Sequence, residues 1–223
     1  MADPLLDAIE IETAAAPNAA VIWMHGLGDD GKGWSDIVRS LPLQESAAIR
    51  FIFPHAPVMP VTINNGMPMR AWYDIKAANL NERADLAGVR RSQTQVEALV
   101  AREKSRGIVT RRMLIAGFSQ GGAIALYAGL RHAERLAGVI ALSTYLIDGA
   151  GLATEAAAAN RDVPVFMAHG LYDPVVQLAW AQGSQAALVA QHYAVEWHTY
   201  PMQHSASVEE VADIGKFLER ALA

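Results

Sequence analysis

Met113-Leu114-Ile115-Ala116-Gly117-Phe118-Ser119-Gln120-Gly121-Gly122 runs from an apolar stretch into a glycine-flanked serine and out into a helical pattern. A short buried strand, a sharp turn and a helix are expected in that order. Glycines at 117 and 121 carry no Cβ to collide with the crowded strand and helix. The turn can therefore hold Ser119 in a strained conformation with its hydroxyl above the sheet edge. The start of a helix also favours developing negative charge at that point. The plain alternative is a serine in an ordinary glycine-rich turn.

Outward from this stretch, similar apolar runs end in Gly, Pro or His at Ala20–Met24, Phe51–Phe53, Val139–Leu142 and Val163–Met167. They read as buried parallel strands. Helical patterns lie between and after them, at Asp85–Lys104, Gly122–Leu130, Val176–His192 and Val208–Leu222, with a short helix expected in the alanine run Glu155–Asn160. Strand alternating with helix gives an α/β fold with a mostly parallel central sheet and helices on both faces. Ala194–Tyr200 alternates apolar and polar residues and reads as a last, half-buried or edge strand. His55–Arg83 is a long connection with no clear period, the candidate substrate loop.

The chain has 223 residues, 52% apolar, with 18 basic and 23 acidic side chains, a net charge of -5 and no cysteine. A single domain over 1–223 is expected, large enough to bury roughly 70% of its unfolded surface without staples. Without a thiol, disulfides, thiolate metal sites and a Cys nucleophile are excluded. The acidic balance argues against nucleic acid as a partner. No apolar stretch reaches the roughly 18 residues of a spanning helix, so no stable membrane insertion is expected and a cytoplasmic protein is the default. Only about 20 residues separate Val139–Leu142 from Val163–Met167, too few for a helical cap domain.

A serine hydroxyl becomes nucleophilic when a neutral imidazole takes its proton and a carboxylate fixes that imidazole's tautomer. In α/β-hydrolases the chain order is Ser, acid, His, which leaves five histidines beyond Ser119. His132 follows the helix after the serine turn. His192 ends a helical pattern, His198 lies within a strand, and His169 stands only four residues from an acid candidate. His204 lies in the loop after the last strand and fits best. Among the acids, Asp162 precedes its strand and sits at the wrong sheet edge, while Asp148 is the fallback. Asp173 follows Val163–Met167 at the edge where open α/β sheets place their sites, and it can also cap a helix whose first residue is Pro174.

His25-Gly26-Leu27-Gly28-Asp29-Asp30-Gly31 follows the strand Ala20–Met24. It lacks the dinucleotide fingerprint and the Walker lysine, so no cofactor is expected. An early glycine loop of this kind supplies one backbone donor of an oxyanion hole and the residue after the nucleophile supplies the other, which assigns Leu27 and Gln120. His25 then reads as a structural hydrogen-bonding residue. No histidine spacing suits a metal, and Asp29-Asp30 reads as a solvated or loop-capping pair.

Taken in order, His25-Gly26-Leu27-Gly28-Asp29, Phe53-Pro54-His55-Ala56-Pro57, Ala71-Trp72-Tyr73-Asp74, Gly117-Phe118-Ser119-Gln120-Gly121-Gly122, His169-Gly170-Leu171-Tyr172-Asp173-Pro174 and His204-Ser205 resemble the phospholipase/carboxylesterase family, which includes carboxylesterases and acyl-protein thioesterases. The resemblance spans nearly the whole chain. It implies an α/β-hydrolase fold, a triad of Ser119, Asp173 and His204, and oxyanion donors at Leu27 and Gln120. It also implies hydrolysis of carboxylic esters with short to medium acyl chains, or of acyl-protein thioesters or lysophospholipids. The expected partner is a small or lipid-like ester or an acylated protein, with a homodimer open as an oligomeric state. Gln203 stands where the family more often has Gly. The resemblance puts Met67–Asp74 on the substrate side and Trp72 on the acyl-pocket wall, although a Trp among apolar neighbours is also often core. Two rival readings are a dienelactone-type hydrolase, which typically needs the missing Cys, and a non-catalytic interaction protein on a hydrolase scaffold.

Overall fold

The computed structural model describes residues 5–79 and 84–223, so the first four residues and the end of the loop expected over His55–Arg83 lie outside the described residues. Seven strands form the main sheet: β1 (Ala8–Glu12), β2 (Ala19–Met24), β3 (Ile49–Pro54), β6 (Met113–Phe118), β7 (Gly138–Leu142), β8 (Val165–Gly170) and β9 (Val195–Tyr200). Their order is β1-β3-β2-β6-β7-β8-β9. β1 runs antiparallel to β3, and every other neighbouring pair is parallel.

The apolar runs are continuous because both faces of the sheet are covered. Ile22, Met24, Ile115, Val139 and Met167 enter one core with α3 (Leu86–Ser105) and α4 (Gln120–Arg131). Their alternate neighbours Val21, Trp23, Leu114, Ile140 and Phe166 enter a second core on the opposite face. There they meet Ile37 of the short helix α2 (Ile37–Ser40), which follows α1 (Gly31–Ser35), and Ile214 and Phe217 of α7 (Val208–Ala221). No cap domain is inserted between β7 and β8, which are joined by α5 (Gly149–Glu155) and a 3₁₀ turn at Ala158–Asn160. α6 (Leu178–Ala190) joins β8 to β9.

The structure departs from or adds to the sequence reading at three places. The alanine run is not one continuous helix: α5 ends at Glu155, Ala156 and Ala157 are extended, and a 3₁₀ turn over Ala158–Asn160 places the buried Asn160 side chain to bind the carbonyls of His132 and Glu134 and the N–H of Leu136. The connection after His55, which shows no clear period in sequence, contains a hairpin in which β4 (Val58–Val61) and β5 (Met67–Arg70) pair. Pro60 and Pro68 face each other in its register, which an isolated two-stranded ribbon tolerates because each strand has an unpaired edge. β1 was absent from the sequence reading altogether. Its Ile9 and Ile11 pack on the core, while Glu10 and Glu12 receive Arg50, Arg102 and Arg106.

Candidate active site

β6 delivers Ser119 at the mouth of α4 with φ 55° and ψ -119°, a conformation that a residue with a side chain rarely adopts. The flanking glycines permit it. A Cβ on Gly117 would overlap the Gly121 carbonyl, and one on Gly121 would overlap the carbonyls of Met24 and His25. Three backbone anchors hold the turn: Ser119 N–H donates to Leu142 O at 2.8 Å, while Ser119 O accepts from Ala123 N–H at 3.1 Å and from Thr144 Oγ1 at 2.6 Å. Thr144 went unnoticed in the sequence because nothing in its local pattern marks a partner 25 residues away.

β8 and β9 supply the rest. Asp173 stands three residues past β8, and His204 lies in the loop between β9 and α7. His204 Nε2 is 2.9 Å from Ser119 Oγ, and His204 Nδ1 is 2.6 Å from Asp173 Oδ2. A carboxylate only accepts, so in the neutral ring Nδ1 carries the proton and Nε2 is left to accept from the serine hydroxyl. The other oxygen of Asp173 accepts the N–H groups of Val175 (2.8 Å) and Val176 (2.9 Å). Burial pushes the Asp173 carboxyl up, but the hydrogen bonds from His204, Val176 and Val175 outweigh it and hold the group below the ordinary Asp value.

His169 is not in the chain of bonds, yet it serves the acid. Its buried ring donates from Nε2 to Val176 O at 2.8 Å and stands 3.4 Å from Asp173 Oδ2, so it packs under the loop that presents Asp173. Burial lowers its pKa and favours the neutral ring. The remaining candidates lie elsewhere. Asp148 caps α5, Asp162 pairs with Arg135, His132 pairs with Glu97, His198 stacks between Phe166 and Tyr200 on β9, and His192 closes the turn after α6. Gln203 needs no glycine, since it is outside the left-handed region. The close approach falls instead on Gly170, where a Cβ would overlap the carbonyls of Met202 and Gln203.

The loop after β2 abuts the serine, with the Cβ position of Gly26 3.4 Å from Ser119 Cβ. Among the described residues, neither Leu27 nor Gln120 gives its backbone N–H to a protein acceptor, so both donors are free. Gly28 turns the loop at φ 79°. His25 is fully buried, donating from Nδ1 to Gly26 O and accepting Ala56 N–H at Nε2, which makes it a structural residue. Asp30 caps α1 by accepting Lys32 N–H at 2.7 Å. No group of three or more His, Asp or Glu side chains is placed to hold a metal among the described residues.

Trp72 is 2% exposed and therefore presents almost no surface to a ligand. Its indole N–H donates to His25 O and its peptide N–H to the Gln120 side chain. Both bonds are buried and tie Trp72 to the loop after β2 and to the start of α4. No helix is long and apolar enough to cross a membrane among the described residues.

The phospholipase/carboxylesterase family model matches residues 7–222. Acyl-protein thioesterase 1 of Mycosarcoma maydis is 39% identical, with 96% of this chain and 95% of that protein aligned. Acyl-protein thioesterase 1 of Neurospora crassa is 40% identical over 95% and 90% of the two chains. The crystal structure of Zea mays acyl-protein thioesterase 2 superposes with a TM-score of 0.85 at 30% identity, covering 97% of this chain and 99% of that one. With the α/β-hydrolase sheet, the serine turn and these relatives in agreement, the chain belongs to the phospholipase/carboxylesterase family.

Proposed function

We propose that this chain, acting as one hydrolase domain, is a serine hydrolase that cleaves carboxylic esters of short to medium acyl chains through an acyl-enzyme. The observation that carries this reading is the continuous hydrogen-bonded chain from Ser119 through His204 to Asp173, set beside two unengaged N–H groups.

In the first step Ser119 Oγ bonds to the ester carbonyl carbon while its proton passes to His204 Nε2. The carbonyl oxygen becomes an oxyanion that accepts hydrogen bonds from the N–H groups of Leu27 and Gln120, and Asp173 stabilises the imidazolium. The tetrahedral intermediate collapses, the bond to the alcohol breaks, and the alcohol leaves with the proton from Nε2. Water then repeats the sequence: His204 takes its proton, its oxygen bonds to the acyl carbon, the bond from that carbon to Ser119 Oγ breaks, and Oγ regains the proton from Nε2 as the acid is released. No metal or cofactor enters.

A thioester carbonyl follows the same path, with a thiol as leaving group. The names of the fungal and maize relatives favour this second reading, an acyl-protein thioesterase acting on lipidated protein. Ser119→Ala should abolish hydrolysis of a short p-nitrophenyl ester and labelling by a fluorophosphonate while the fold is retained by circular dichroism. Substantial residual turnover would reject the assignment. Competition between an ester and an acyl-thioester of equal chain length separates the two substrate classes.

A further inference from the structure

The two N–H groups assigned to the oxyanion belong to separate loops, and among the described residues no hydrogen bond joins residues 25–28 to residues 119–121. Both loops instead fasten to one strip, Arg70 to Tyr73. On one side Gly28 N–H donates to Arg70 O at 2.8 Å and Trp72 Nε1–H donates to His25 O at 2.9 Å, so Leu27 is held between two anchors. On the other side the Gln120 side chain spans the strip, with Oε1 accepting Trp72 N–H at 2.8 Å and Nε2 donating to Tyr73 O at 2.8 Å. Ser92 Oγ donates to Trp72 O from behind. Each of the three polar atoms of Trp72 is thereby engaged, and all of these bonds are buried apart from the Gly28 link at the rim.

We propose that Trp72 is a positioning residue for the oxyanion hole: its indole and peptide N–H groups fix the aim of Leu27 N–H and Gln120 N–H toward one point. This rests on the reading of Ser119 as the acylated nucleophile. The physical reason is economy of freedom. A donor stabilises an oxyanion only if it is aimed before charge develops, and a glycine-rich loop cannot hold that aim without external anchors.

The test is Trp72→Phe, which keeps an aromatic ring and removes the bond to His25 O. Losing one oxyanion donor typically costs about 10²–10³ in kcat, so partial misalignment should lower kcat by about 10–100-fold with KM within about twofold. Affinity for an alkyl trifluoromethyl ketone, whose carbonyl carbon bonds Ser119 Oγ to give a hemiketal oxyanion while His204 takes the proton, should fall by the same factor. Affinity for the free fatty acid of matching length and the pH profile of kcat should hold, because neither depends on the aimed donors. Equal weakening of ketone and fatty acid would mark a merely structural role and overturn the proposal, as would a wild-type kcat. If Trp72→Phe does not fold, Gln120→Met, which removes the other clamp at nearly constant volume, should give the same split, and its absence overturns the proposal equally. A wild-type protein that neither turns over ester nor binds the ketone would sink the hydrolase reading and the brace with it; an active wild type with an indifferent Trp72→Phe sinks only the brace.

Discussion

Gly170 shows how narrowly the site is built at the level of single residues. The carbonyls of Met202 and Gln203 occupy the space its Cβ would need, so Gly170→Ala must push the His204 loop outward. A displacement of about 1 Å at a reacting group costs about 10²-fold in rate, and a loss of that size is expected in kcat for a p-nitrophenyl ester. The comparison is with Gly183→Ala, where nothing lies within 4 Å and near-normal activity is expected. The three side chains that the structure brings within hydrogen-bond reach of one another are marked by local spacing in the sequence. Ser119 is framed by the glycines its turn requires, and Asp173 and His204 each follow a recognisable strand. The hydrogen bonds of Trp72 are not marked in that way, because its partners His25 O and Gln120 Oε1 lie 47 and 48 residues away and nothing in its own neighbourhood points to them.

At the scale of elements, α7 presents a consequence of acid buried without a partner. Its first-turn residue Glu210 is fully buried, both carboxyl oxygens lack a hydrogen-bond donor, and burial pushes its pKa up to about 8. The native state therefore keeps a proton that the unfolded chain releases near 4.5. Stability falls as pH rises between these values, with a slope approaching about 1.4 kcal/mol per pH unit for one group. Glu210→Gln removes that term, and urea melts of the variant at pH 5 and pH 8 should differ less than those of the wild type. A pH dependence equal to that of the wild type would show that the proton is held elsewhere. Elements were readable where they are long or buried on both faces. The hairpin of β4 and β5 was hidden by Pro60 and Pro68, residues that normally argue against a strand, and β1 by its brevity and its acids, whose counter-ions come from β3 and α3.

Those counter-ions tie the molecule together at one edge. Arg50 of β3 binds Glu103 of α3 and Glu12 of β1 at 2.7 Å each, and Arg106 and Arg102 bind Glu10 at 2.8 Å. Glu103 is fully buried, so Glu103→Gln leaves Arg50 short of a charge in a poorly solvated place and should cost about 3 kcal/mol of unfolding free energy in chemical denaturation. Ester hydrolysis by the folded fraction should be unchanged, since the network touches the opposite ends of the strands from Ser119. No cap is inserted between β7 and β8, as anticipated from the short span between them. Ser119, Asp173 and His204 stand on the exits of β6, β8 and β9, which become neighbours only once β7 lies between β6 and β8. Each pairing among these strands is a parallel, non-local one that must bear its loop-closure entropy before it is rewarded. Hydrolytic competence is therefore gained late during refolding: a collapsed intermediate with most of its helix content in place would still be inert, and the enzyme's own turnover is a clock for completion of its sheet.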